Sequence, residues 1–438
     1  MATFPSPVAA AFQGQGSHSL AGVTFSQLGF AAFLGLVVFA QIDAVGNRLV
    51  EGVLPVSTYS ACYLATAGFA LCAWAGDRGT RLAGTPAPGV RLATALLLWA
   101  GFAWTLSHHR EPGWEYLQSF AKAAGLLVFA AMLVDSPRRL RASLWAMAGA
   151  GLVSALIVYW DSYTGTRLVS TAEAAATAQF GGIARSAGGS DENPTTAAQM
   201  LLVSTAVLLG LFAALPRARM WTGAAVVLCL GALGLMAARS AFLGLLPALG
   251  LFLWAVRRER IFPLVLLGVF GLIAGALILS PALLERVVAL ADWGRDPTLV
   301  RRTTYLSIGL DLFRQSPVWG IGPGNFPSYF VGDEYRFMPG RTPIMRELHN
   351  TYLDVAVELG TVGFMLFAAV LCAALNDLRR ALAGKQADRA AAFALLLALA
   401  GLLLASLFMP NKDMRYLWLL LGLAFQCGRM ARARRGVA

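Results

Sequence analysis

From Trp221 to Val256 a single charged residue, Arg239, interrupts otherwise apolar sequence. Split at Arg239, the run gives two segments close to the roughly 17–25 residues that one helical bilayer crossing needs. Only a helix or a closed barrel satisfies its own backbone in hydrocarbon, so the stretch reads as two helices joined by a very tight turn. The pattern recurs along the chain, with apolar windows near 28–45, 53–75, 91–107, 116–134, 144–160, 195–215, 221–238, 240–256, 262–280, 350–376, 390–409 and 415–428. With 58% hydrophobic and 13% charged residues and a mean hydropathy of +0.64, a soluble fold is excluded. The expected class is an all-α, polytopic membrane protein of about 12 transmembrane helices with a long helical loop.

The net charge of +12 would suggest nucleic acid in a soluble chain, but here the basic residues sit mostly in short loops between apolar runs. Alternating the loops between two sides collects 19 Lys and Arg against 5 acidic residues on one side, ending in the tail GRMARARRGVA. On the other side, the stretch 281–349 balances eight arginines against seven acids. By the positive-inside rule both termini are cytoplasmic and the long loop faces away from the cytoplasm. The first 25 residues lack a basic n-region and a continuous apolar core, which predicts a polar cytoplasmic start and no cleaved signal peptide. Three parts follow: 1–280 with nine helices and an outer loop at 161–194, the loop 281–349, and 350–438 with three helices and a basic tail.

A loop of that length is too long for a connector and is usually functional. Leu306, Leu310 and Phe313 at i, i+4, i+7 predict an amphipathic helix that ends at Ser316-Pro317. The following GIGPGNF is a glycine-rich turn, read first as helix punctuation. A phosphate cradle is the alternative, and it lacks the Gly-Lys-Ser/Thr of a nucleotide-binding loop. The five cysteines lie in apolar segments, with no disulfide or zinc spacing.

Chemistry is expected on the outer side. Arg239 lies at or just inside the membrane boundary, where an arginine is costly unless paired or wetted. Arg301 and Arg302 open the predicted loop helix, and an anion there would offset their unfavourable placement against the helix dipole. Arg185 precedes Asn193-Pro194, a helix N-cap and first-position pair, and also reads as a surface charge. Lys122, one of three lysines, lies inside the fourth window, as a functional group or as a snorkelling one. His108 and His109 read as two solvated histidines in an outer loop. His349 starts the tenth window, beside Asn350 and three residues after Arg346. Cationic neighbours keep an imidazole neutral and able to accept a proton. No Asp-x-Asp pair or carboxylate cluster offers metal-ligand spacing, so neither metal nor cofactor is expected.

At this point several segments resemble the bacterial O-antigen ligase and polymerase superfamily. HNTYLDVAVELGTVG is similar to its His-Asn, Gly, Gly signature, and Arg239 with Leu243 looks like its Arg-x-x-x-Leu signature. RRTTYLSIGLDLFRQSPVWGIGPGNF is similar to its loop pattern, and ARSAGGSDENP to its Arg…Asn-Pro segment. The family's usual tryptophan four residues after the loop arginine is Tyr305 if Arg301 is the counterpart and Leu306 if it is Arg302. The resemblance implies a GT-C-like enzyme at the periplasmic face of the bacterial inner membrane, inverting and independent of metal. It would transfer O-antigen from undecaprenyl diphosphate to the lipid A-core acceptor.

The implied roles are catalytic for His349, Arg239 and Arg302, and substrate-binding for Arg185, Arg301, Asn350, Lys122 and Arg346. Partners are the lipid-linked donor, the lipid A-core acceptor and membrane lipids, with no nucleic acid. The same signatures occur in O-antigen polymerases and protein O-oligosaccharyltransferases, while a lipid-linked sugar transporter would instead carry ionisable groups near mid-membrane. Asp43 and Asp354 are the deeper acids by this reading.

Overall fold

The computed structural model describes residues 19–20, 23–53, 55–76, 88–169, 185–279, 297–341, 343–384 and 386–434. Most of the predicted polar start, the loop 77–87, the middle of 161–194, the beginning of 281–349 and the last residues of the tail lie outside the described residues. Apart from a two-residue antiparallel ladder, Ser19–Leu20 with Val23–Thr24, the described elements are helices.

Each apolar window carries a helix: α1 (Phe25–Phe39) with α2 (Asp43–Leu49), α3 (Thr58–Gly76), α4 (Pro88–Thr105), α5 (Arg110–Leu133), α6 (Pro137–Thr164), α7 (Pro194–Ala214), α8 (Arg219–Met236), α9 (Arg239–Val256) and α10 (Phe262–Leu279). After them come α11 (Pro297–Gln315) and the short α12 (Phe326–Phe330), then α13 (Thr351–Leu382), α14 (Gln386–Ala405) and α15 (Arg415–Ala433). By length and composition, six of the described helices can cross a membrane, and α1 with α2 makes a seventh if the bent pair is one span.

The first window is not one straight helix. α1 and α2 meet at 112°, and the break frees Asp43 for polar partners. Its carboxylate accepts the Asp191 amide at 2.9 Å and pairs with Arg415 at 2.6 Å. An unpaired acid there would be costly in an apolar bundle, so the bend and the ion pair belong together.

α7 and α15 are buried on nearly every side, α7 as expected of a helix that is hydrophobic all round and sits at the centre of a bundle. α14 packs on α7 and α9, α8 on α7, and α13 on α4 and α15. Where α9 crosses α14, a Cβ on Gly244 would stand 2.7 Å from the Gly401 carbonyl. Small residues at such crossings let backbones approach, which is how helices associate without a hydrophobic driving force between them.

The turn between α7 and α8 lies beside the one between α9 and α10, where Arg219 pairs with Glu259 at 2.6 Å. At the foot of α13, Asp377 receives Arg432 of the tail and Arg380 at 3.7 Å. The opposite end of α13 holds the loop region, with a small core of its own. Tyr305, Ile308 and Leu312 of α11 meet Phe326 and Phe330 of α12, together with Leu348 and Val357. This corrects the expected apolar face of the loop helix: Leu306 and Leu310 are exposed, and the buried stripe runs through Tyr305, Ile308 and Leu312. Two stripes on α11 have helical spacing, i, i+4, i+7 from Leu306 and i, i+3, i+7 from Tyr305, and tertiary packing chose the second.

Candidate active site

His349 is the last residue before the cap of α13. Asn350 caps that helix, its Oδ1 accepting the Tyr352 and Leu353 amides at 3.1 Å each. The cap residue Asn350 is extended, and the chain turns sharply at the residue before it. His349 makes that turn with φ +57°, a left-handed conformation that histidine tolerates better than most non-glycine residues. A strained residue that the surroundings over-determine points to a functional position.

The imidazole packs on Tyr305 of α11, ring centroids 5.4 Å apart. Its Nδ1 is enclosed and has no hydrogen-bond partner among the described residues. Burial pushes the imidazole down to about 4, with Arg302, Arg346 and Arg301 each pushing the same way. Tyr305, raised by its own burial, is hydrogen-bonded to Arg301. Arg301 and Arg302 lie more than a turn inside α11, which begins at Pro297, so they do not open the helix as expected. Both act electrostatically on the His349 imidazole, and the Arg302 guanidinium lies 5.8 Å from the centre of the Phe408 ring.

A hydrogen-bonded strap ties this pocket to Arg239. Thr351 donates its amide to the Ser406 carbonyl at 2.9 Å, and its hydroxyl to that of Met409 at 2.6 Å. Asn411 donates its amide N–H to Thr351 Oγ1 at 2.7 Å and its side-chain Nδ2 to Gln199 Oε1 at 2.7 Å. Gln199 in turn donates to the hydroxyl of Ser240, next to Arg239, at 3.1 Å. The turn from α8 to α9 is as tight as expected, with Ala237 at φ +49°. Arg185 anchors there, donating Nε to the Met236 carbonyl at 2.8 Å and Nη1 to Thr195 at 3.3 Å. Asn193 caps α7 with Pro194 at its first turn, as predicted.

The glycine-rich turn is structural. Gly320, Gly322 and Gly324 all have positive φ, and the turn docks on a break in α13 at Gly360 (φ 68°, ψ −174°). Ile321 and Gly322 donate amides to the Val357 and Glu358 carbonyls at 3.0 Å each, and Thr361 donates to Pro317 at 2.8 Å. The tenth window is therefore a broken helix. Its freed backbone groups are satisfied by the turn, as they must be in a bundle. Glu358 fastens the turn from below, its carboxylate accepting the Gly324 amide at 2.7 Å and the Phe326 amide at 3.3 Å.

Glu358 also pairs with Lys412, which reaches Asp354 at 2.7 Å, and all three side chains are buried. Sequence reading passed over Glu358, Lys412, Asp413 and Glu347. The signal for Glu358 was present, since Asp354 and Glu358 are i, i+4 on one face of an apolar helix. Lys412 lies in a short loop whose burial only the fold reveals. Glu347, two residues before His349, is pushed up to about 8 by burial and then by the Asp413 charge.

The structure brings His349 together with Arg301, Arg302, Arg346 and Asn350, and links Arg239 and Arg185 to them through the strap. Lys122 is elsewhere, on the wall of a cavity of 580 Å³ that Glu347 and Asn411 also line. His109 precedes α5 and packs edge-on to Tyr329 at 5.2 Å. Among the described residues, no three His, Cys, Asp or Glu side chains cluster so as to hold a metal ion.

Residues 224–368 match the family model described as O-Antigen ligase. The match supports a member of the O-antigen ligase/polymerase superfamily. The matched segment runs from α8 into α13 and contains Arg239, Arg301, Arg302, Arg346, His349 and Asn350. No curated protein matches the chain. An O-antigen ligase/polymerase type of function, acting on lipid-linked polysaccharide and a lipid acceptor in membranes, is what the superfamily supports.

Proposed function

We propose that the protein is an O-antigen ligase, moving polysaccharide from undecaprenyl diphosphate to the lipid A-core acceptor. The reading includes twelve crossings of the bacterial inner membrane, cytoplasmic termini and a site open to the periplasm. The observation that carries it is the enclosed His349 imidazole framed by Arg301, Arg302 and Arg346 at the start of α13. A leaving diphosphate needs concentrated positive charge, and guanidinium forks match phosphate oxygens in pairs. A hydroxyl acceptor needs a base within reach, worth about 10²–10⁴-fold.

In this mechanism Arg302, Arg301, Arg346 and Arg239 hold the donor diphosphate, while Arg185 braces the turn that carries Arg239 and completes the cationic wall. The acceptor oxygen attacks the anomeric carbon from the face opposite the diphosphate and forms the new glycosidic bond with inversion. The carbon–oxygen bond to phosphate breaks, its electron pair leaves with undecaprenyl diphosphate, and the hydroxyl proton passes to the His349 imidazole. Without donor, the arginines hold that imidazole neutral but weakly basic. The bound diphosphate offsets their charge and raises its basicity, so the base strengthens only when there is a donor to react. Asn350, whose oxygen is committed to capping α13, positions His349. Metal and cofactor have no assigned part.

The test is a lipopolysaccharide gel from a strain lacking the gene. Core without any O-chain supports the ligase, core with one repeat unit supports a polymerase, and an unchanged ladder with lost protein glycan supports a protein oligosaccharyltransferase. An intact ladder with intact protein glycan contradicts all three.

A further inference from the structure

The end of the bundle away from His349 carries a second concentration of positive charge. α9 runs from Arg239 to Val256, so its far end lies roughly 25 Å from that arginine at about 1.5 Å per residue. There the α7–α8 turn and the α9–α10 turn meet through the Arg219–Glu259 ion pair at 2.6 Å. These two turns hold Arg217, Arg219, Arg257, Arg258 and Arg260, with Glu259 as their one acid. Arg219 is engaged, since besides Glu259 it donates Nε to the Phe212 carbonyl at 3.2 Å and Nη2 to that of Ala213 at 3.4 Å, closing the last turn of α7. Arg217, Arg258 and Arg260 are exposed and make no hydrogen bond or ion pair among the described residues.

Two indoles belong to the same patch. Trp221, in the first turn of α8, is 72% exposed, and Trp254, in the last turn of α9, is 65% exposed. In a polytopic protein, indole beside arginine marks the level at which the chain meets the bilayer surface. The Arg257 guanidinium lies 3.3 Å from the centre of the Trp254 ring, and its Nη1 donates to the Trp254 carbonyl. The stack fixes the plane of the guanidinium and leaves further N–H groups at its edge for an anion. A side chain already held in this way loses less freedom on binding than a solvated one.

The arginines call for an anion, and the exposed indoles call for an apolar body attached to it. A free phosphate meets the first requirement and not the second, whereas a phospholipid with a negative headgroup meets both. α10, which follows the patch, packs on α8 and α9 and leaves Leu264, Leu267 and Phe270 exposed, an apolar face at helical spacing on which acyl chains fit. We propose that the α7–α8 and α9–α10 turns form a binding site for an anionic phospholipid. Arg217, Arg257, Arg258 and Arg260 hold its phosphate, and Trp221 and Trp254 flank its glycerol and upper chains. The site is a helix length from His349 and is independent of the transfer reading.

The experiment titrates the detergent-purified full chain with phosphatidylglycerol and, separately, with phosphatidylcholine, and counts bound lipid by native mass spectrometry. Arg217→Gln with Arg258→Gln removes two charges from the patch. Arg138→Gln with Arg141→Gln removes two exposed charges from the start of α6 and serves as the control. The wild type is expected to prefer phosphatidylglycerol at least about tenfold, the patch pair to lose about tenfold of that affinity, and the α6 pair to keep it within about twofold. Trp254→Leu takes away the stack on Arg257 and is expected to weaken phosphatidylglycerol about threefold, with phosphatidylcholine unchanged. Equal losses in the two arginine pairs would mean diffuse attraction to net charge and would overturn the site. So would a wild type without preference, or unchanged binding in the patch pair or in Trp254→Leu. Displacement of the lipid by millimolar inorganic phosphate would assign the arginines to a free anion and overturn the lipid assignment.

Discussion

Tyr305 and His349 pack with ring centroids 5.4 Å apart and planes tilted by 40°, joining the loop helix to the start of α13. The ring holds the imidazole on one side while its hydroxyl engages Arg301. Tyr305→Phe keeps the packing and is expected to retain most transfer activity. Tyr305→Ala releases the imidazole and is expected to lower kcat by about 10-fold or more, since small misplacements of a catalytic group are costly. Steady-state kinetics on both variants checks this, and equal losses in Phe and Ala would point to the hydroxyl instead.

The pH profile follows from the same pocket. With burial and then Arg302, Arg346 and Arg301 pushing His349 down to about 4, the free protein keeps a neutral imidazole down to that pH. The acid limb of kcat/KM is therefore expected well below the usual histidine value of about 6.5. Arg302→Ala removes one depressing charge and moves that limb upward. It also weakens the donor by about 10- to 100-fold, the range of a lost charge-assisted hydrogen bond. The sign also applies to stability: unfolded chains bind the proton more readily between about pH 4 and 6.5, so this group's contribution is lost as pH falls through that window.

Gly360→Ala tests the broken helix. A Cβ there would stand 2.1 Å from the Val318 carbonyl at a φ of +68°, a contact that something must shift to avoid. Backbone strain alone is about 1–3 kcal/mol, so a fall of several degrees in thermal unfolding is expected, together with lost transfer. An unchanged Tm contradicts the docking of the glycine turn on α13.

Lys412→Met leaves Asp354 and Glu358 without their shared cation. Removing one partner from a buried ion pair typically costs about 3–5 kcal/mol, because the remaining charge is stranded. Thermal unfolding in nanodiscs is expected to show a large loss. Adding Glu358→Gln to Lys412→Met should recover part of it, and additive losses would mean that the pair is not coupled.

The helices were legible because each apolar window is long and bounded by charge, and Asn193-Pro194 and Asn350 cap where their chemistry says they should. The bend at 40–42 and the break at Gly360 were not legible, since both depend on partners distant in sequence: Arg415 for Asp43, and the turn at 320–324 for α13. His349 and its arginines could be gathered by side of the membrane, but not by distance. Lys412 and Asp413 are ordinary loop charges in sequence, and only the fold encloses them.

The most direct measurement is transfer by the purified protein from a polyprenyl diphosphate-linked glycan to lipid A-core, with EDTA present, comparing wild type with His349→Ala. The account predicts metal-independent transfer by the wild type and a kcat lowered by about 10²-fold or more in the variant, with donor KM little changed. Transfer at a near wild-type rate by His349→Ala would contradict it.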